Sequence, residues 1–129
     1  MVIDTNIFIE FLRAKDKTNT ILFNLFDYKN LSISTITVFE LYAGAGNEAK
    51  WKDLKILLEN ISIIPVDEEI AKQAAKIYQN LKSENKLIEF RDILIAATAI
   101  VNDLELITIN EKHFSRIENL NIKKINKYN

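Results

Sequence analysis

Cysteine is absent from the 129 residues, and histidine occurs once. The chain can therefore build no disulfide framework, no thiolate metal site, no cysteine nucleophile and no zinc site with several histidines. Only two glycines and one proline punctuate it. That leaves no glycine-rich phosphate loop, so P-loop and dinucleotide-binding chemistry are excluded, and there is no linker-like or low-complexity stretch. An excess of one charge is missing too, since the net charge is −1. Nucleic-acid binders usually carry a basic excess, because phosphate contacts supply most of their non-specific affinity. Basic residues cluster only locally here, at Arg13, Lys15 and Lys17, at Lys112 and Arg116, and at Lys123, Lys124 and Lys127. Taken alone, such groups read as solvated surface charge. The longest apolar run, Ile93 to Val101 with Thr98 inside it, is too short to span a bilayer. Met1 leads straight into Val2-Ile3-Asp4 without a leader-like segment. A soluble cytoplasmic protein with no membrane association is expected.

What is present is an ordinary globular balance. With 48% apolar residues, a chain of this length can bury a real core, and one domain over 1–129 is expected. Short apolar runs alternate with longer amphipathic ones. Met1-Val2-Ile3 reads as a strand, followed by a helix opened by Thr5 with Ile7, Phe8, Phe11 and Leu12 on one face. The spacing of Ile21, Leu22, Leu25 and Phe26 predicts a second helix over roughly 17–29. Leu31 to Ile33 reads as a strand, and a helical pattern follows through Val38, Leu41 and Tyr42. Gly44 and Gly46 break the chain before a helix carrying Trp51, Leu54, Leu57 and Leu58. Ile61 to Val66 is a β-branched strand, and Asp67 caps a long helix with Ile70, Ala74, Ile77, Tyr78 and Leu81 on its buried face. Asp92 opens an apolar helix through Ile100. Leu104 to Thr108 and Asn121 to Ile125 read as the last strands. Strands separated by helices predict an α/β fold: an α/β/α sandwich with a mainly parallel central sheet. In such sheets the ligand crevice lies at the carboxyl ends of the strands.

Three acids meet that rule. Asp4 follows the first strand, Glu40 lies in an apolar stretch of a helix, and Asp92 stands before Ile93-Leu94-Ile95-Ala96-Ala97. Helix capping accounts for each one separately: Asp4 within Asp-Thr-Asn, Glu40 as the fourth residue of a Thr37–Glu40 capping box, and Asp92 at a helix start. It does not account for three of them on one side of a sheet. Should they converge, their repulsion raises their pKa values unless a cation neutralises them. All-oxygen ligation selects a hard divalent ion, Mg²⁺ or Mn²⁺.

Four segments, Asp4-Thr5-Asn6, Thr37 to Gly44, Arg91 to Ala99, and Leu106 to Phe114, together resemble the successive motifs of the PIN-domain family. They are most similar to its VapC branch, the toxins of type II toxin–antitoxin modules. The resemblance covers essentially the whole chain. It implies a metal-dependent endoribonuclease acting on RNA, often transfer RNA, by cation-assisted attack of water that leaves 5′-phosphate and 3′-hydroxyl ends. Asp4, Glu40 and Asp92 carry over as the metal-site acids. Asn110 falls where many members have a fourth acid, which sets a second ion in question; the next residue, Glu111, is a candidate substitute. Lys86 stands where a glycine is frequent. Asn6, Thr108 and, more weakly, Thr35 are expected to orient the acids and water. The resemblance also implies a cognate antitoxin and a homodimer. His113 is read as a packing or surface residue rather than a general base, and Phe39 and Tyr42 as core or dimer contacts; Trp51 is open between internal packing and a partner. Two rival readings are a PIN-like binding module without activity and a receiver-like signalling domain, in which Asp67 would be the phospho-acceptor.

Overall fold

A computed structural model describes residues 1–125, so Lys127 lies outside the described residues. Four strands, β1 (Val2–Ile3), β2 (Ser32–Ser34), β3 (Ser62–Ile64) and β4 (Leu106–Ile107), form one sheet in the order β3-β2-β1-β4. Every pairing between them is parallel. The helices are α1 (Thr5–Arg13), α2 (Ile21–Leu25), α3 (Thr35–Gly44), α4 (Glu48–Leu58), α5 (Glu68–Ser83), α6 (Phe90–Val101) and α7 (Glu111–Phe114).

Neighbouring residues of a strand point to opposite faces, and that alternation divides the core in two. Val2 and Leu106 face one way and pack with Ile70, Ile77, Ile95 and Phe114 under α5, α6 and α7. Ile3 and Ile107 face the other way and pack with Ile7, Phe8, Leu22 and Leu54 under α1, α2 and α4. All four strand residues are fully buried. The expected sandwich is therefore what forms.

With glycine so scarce, asparagine and aspartate make the left-handed turns. Asn85 (φ 57°) and Asp103 (φ 52°) end α5 and α6. In each case the amide of the next residue reaches back into the last turn: Lys86 N donates to Leu81 O at 2.8 Å, and Leu104 N to Ala99 O at 2.9 Å. These are Schellman stops. Lys86 is thus accommodated by placing the left-handed residue one position earlier.

Five expectations need correction. The helix expected over 17–29 is a 3₁₀ turn (Lys17–Asn19) followed by the short α2. Thr20 between them is extended (φ −129°, ψ 158°) and its hydroxyl caps α2. The carboxylate of Glu10 accepts the Ile21 amide at 2.9 Å, which a view of local spacing cannot anticipate. The strand expected over 121–125 is a single parallel bridge from Ile122 to Leu106. Leu104–Thr108 contracts to β4, and Ile61–Val66 contracts to β3, where Pro65 has no amide to continue the ladder. The Thr37–Glu40 capping box does not form, because the N-cap of α3 is Ser34, whose hydroxyl accepts the Ile36 amide.

Candidate active site

The chain builds the sheet outward from β1 to β2 and β3, then crosses back to lay β4 on the other side of β1. That reversal places a crevice at the carboxyl ends of β1 and β4. Asp4 leaves β1 and Thr108 leaves β4, and the two side chains meet: Thr108 Oγ1 donates to Asp4 Oδ2 at 2.8 Å. Asp4 occupies the N-cap position of α1, yet its side chain makes no cap hydrogen bond. Its carboxyl is pushed up to about 6, chiefly by burial and further by the charges of Asp92 and Glu40, against the Thr108 hydrogen bond.

Glu40 projects from the body of α3. One oxygen accepts from Thr5 Oγ1 at 2.9 Å and the other from Arg91 Nη1 at 2.9 Å. Thr5 has one hydroxyl proton and gives it to Glu40. Thr37 must then be the donor in the 2.9 Å contact between the two threonines. The result is a directed relay, Thr37 to Thr5 to Glu40, in which both threonines are buried.

Asp92 lies in the first turn of α6, two residues inside the helix start predicted at Asp92 itself. Burial raises its pKa first, and the charges of Glu89 and Glu40 raise it further; His113 and Arg91 oppose them. Asp4, Glu40 and Asp92 therefore occupy one electrostatic neighbourhood. His113, read from sequence as a packing or surface residue, stands close enough to that neighbourhood to act on Asp92.

The other expected site residues divide. Asn110 Nδ2 lies 3.0 Å from His113 Nδ1, and its backbone amide donates to Thr108 Oγ1 at 2.9 Å. Its side chain is thus engaged with His113. Glu111 is exposed on the first turn of α7, and Asn6 is exposed on α1. Thr35 is tied elsewhere, accepting the Val66 amide at 3.2 Å. Phe39 is 69% exposed, so it is no core residue. Tyr42 packs on Trp51 with ring centroids 4.7 Å apart, and the indole donates to Ala45 O. Asp67 caps α5 by accepting the Ile70 amide at 2.9 Å, which is a structural use of the carboxylate that the receiver-like reading needs as phospho-acceptor.

Two of the basic groups have local partners, while Arg13, Lys17 and Lys50 line the groove that also holds Glu40. Lys17 is spent on closing α1, donating to the carbonyls of Phe11, Leu12 and Ala14. Lys123 lies over the Tyr28 ring. Sequence reading missed Arg91, which bonds both Glu40 and Glu89. A signal was present: a cation in the first turn of a helix opposes the helix dipole, so it calls for a partner elsewhere.

The donors suit a hard divalent cation in kind, being three carboxylates of which Asp4 and Asp92 are raised in pKa by burial and by neighbouring acids. They are not assembled for one, because among the described residues no group of three acidic or histidine side chains could hold an ion as it stands. Glu40 is turned to Arg91 and Thr5 instead. Beside the acids, α1, α3 and α4 enclose a groove of about 620 Å³ lined by Ile9, Phe11, Leu12, Leu54 and Leu57, with Glu40 on its wall.

Comparison with known proteins shows the family and the fold. The PIN domain family model matches residues 1–120. Ribonuclease VapC1 of Methanocaldococcus jannaschii is 32% identical over 123 residues, covering 95% of this chain and 85% of that one. Ribonuclease VapC19 of Mycobacterium tuberculosis is 32% identical over 120 residues, covering 92% and 95%. Among solved structures, VapBC2 from Rickettsia felis bound to a promoter DNA fragment superposes with a TM-score of 0.83 at 27% identity, covering 97% of this chain and 98% of that one. VapBC-1 from nontypeable Haemophilus influenzae gives 0.82 at 28% identity, covering 95% and 96%.

Proposed function

The chain belongs to the PIN-domain family, and on that footing we propose that it is an endoribonuclease dependent on Mg²⁺ or Mn²⁺, the toxin of a toxin–antitoxin pair. The observation that carries this reading is the nearness of Asp4, Glu40 and Asp92 at the sheet's switch point, where the charges of Glu40 and Asp92 raise the pKa of Asp4 and that of Glu40 raises the pKa of Asp92. The relatives named ribonuclease VapC and the VapBC complexes support it from outside.

Asp4, Asp92 and Glu40 are the residues that would hold the ion. When bound, the cation supplies Lewis acidity to the phosphodiester and to the attacking water. The chain's part is positional. Thr108 fixes one oxygen of Asp4, and the Thr37–Thr5 relay fixes one oxygen of Glu40. At neutral pH Asp4 stands above its value of about 6 and is available as an anion. Water adds to phosphorus, the P–O3′ bond breaks, and the 3′ oxygen takes a proton, leaving the 5′-phosphate and 3′-hydroxyl.

The substrate class is RNA, with transfer RNA the favoured target, and the whole of 1–129 serves as one nuclease domain in the cytoplasm. Among the described residues no helix is long and apolar enough to cross a membrane. An antitoxin segment with an apolar face suits the groove beside Glu40, and a homodimer gives the exposed Phe39 and Phe90 a covered surface. Asp4→Asn and Asp92→Asn should each lower RNA cleavage by about a thousandfold or more with circular dichroism unchanged. Wild-type cleavage by either folded variant would remove the assignment.

A further inference from the structure

We propose that Arg91 is a built-in counterion for Glu40, displaced when the divalent cation binds and then turned toward a phosphate of the RNA. The inference rests on the metal-dependent nuclease reading above and adds to it a competition for one carboxylate.

Arg91 sits in the first turn of α6, at the positive end of the helix dipole, where a cation gains nothing locally. One local partner and one tertiary partner hold it there. Nη1 bonds Glu40 Oε2 at 2.9 Å, and Nη2 bonds Glu89. The other Glu40 oxygen is already taken by Thr5. Glu40 Oε2 therefore faces a choice between the guanidinium and a metal ion, because its best-directed lone pair serves one of them at a time.

Burial tells which partner can leave. The Glu40 side chain is 15% exposed and the Arg91 side chain 56%. A carboxylate fixed by a buried threonine relay stays in place, while a half-solvated guanidinium on a long stem can swing. Exposed ion pairs of this kind are weak, so a dication among Asp4, Glu40 and Asp92 outcompetes a single positive charge at the rim. Once released, Arg91 remains beside the acids on its Glu89 tether. Its planar fork of donors matches two phosphate oxygens, which a lysine cannot do in the same way.

The test is calorimetric Mn²⁺ titration of wild type, Arg91→Gln and Arg91→Lys, followed by steady-state cleavage of RNA at saturating Mn²⁺. Arg91→Gln should bind Mn²⁺ about threefold tighter or more, because the competitor is gone, and its KM for RNA should rise roughly tenfold with a smaller change in kcat. Arg91→Lys should bind Mn²⁺ near the wild-type value and keep a raised KM. Titration of the wild type with Mg²⁺ should also move the Arg91 Nε–H resonance, a readout that needs no variant. Unchanged or weaker Mn²⁺ binding by Arg91→Gln, an unchanged KM, or an unmoved resonance would overturn the inference while leaving the nuclease reading intact. Failure of the wild type itself to bind Mn²⁺ would remove both.

Discussion

Helix starts in this chain fall into two groups, and the division follows the site. At the 3₁₀ turn and at α2 to α5, the N-cap side chain accepts a backbone amide: Asp16, Thr20, Ser34, Asn47 and Asp67 all do so. At α1, α6 and α7 the N-cap residues Asp4, Glu89 and Asn110 are polar, yet none of them caps. Those three starts surround the acid cluster. Asp4 turns to Thr108, Glu89 to Arg91 and Asn110 to His113. A local rule honoured everywhere except around one crevice marks side chains committed to something other than stability.

The largest way to sharpen this contrast is to neutralise Asp4. Its folded-state carboxyl titrates at about 6 against an ordinary 3.8. Between those values the folded chain holds a proton that the unfolded chain has released, so stability falls as pH rises through that window and the loss is complete above it. Asp4→Asn, which keeps an acceptor for Thr108, should stabilise the ion-free protein at pH 8 by about 3 kcal/mol. The gain should vanish near pH 4, and urea unfolding at the two pH values measures it. A smaller effect compares two matched positions. Asp67→Ala removes a working cap and should cost about 1 kcal/mol without changing cleavage. Glu89→Ala, at an N-cap position whose side chain does not cap, should cost less than about 0.5 kcal/mol. Equal costs at the two positions would dissolve the distinction.

Much of the fold was legible because it is written in local pattern. Strand residues such as Val2, Ile3 and Ile33 and the buried faces of α5 and α6 follow from periodicity, and Asp67 caps as its position suggests. What escaped depends on distant partners. Glu10 reaches Ile21 and divides the expected second helix; the expected last strand is reduced to one bridge, with Leu106 bonded to Asn121 and Lys123 on either side of Ile122. The site shows the same limit. Asp4, Glu40 and Asp92 could be picked out by residue type and resemblance, but capping explained each of them equally well on paper. Only coordinates show that Ser34 caps α3 in place of Thr37, which frees Thr37 to support Thr5 and Glu40. Arg91 was passed over because an arginine beside an aspartate reads as surface charge; its place in the first turn of a helix called for a partner, but not for Glu40 on α3 in particular.

The most direct test of the whole account is the thermal unfolding midpoint of the wild type, Asp4→Asn and Asp92→Asn with and without Mn²⁺. If these acids share one cation, the wild-type midpoint should rise as the ion is added, by about 2.7 kcal/mol of stability at a hundredfold excess over Kd, while both variants stay flat. A wild-type midpoint indifferent to Mn²⁺, or variants that respond as strongly as the wild type, would contradict it.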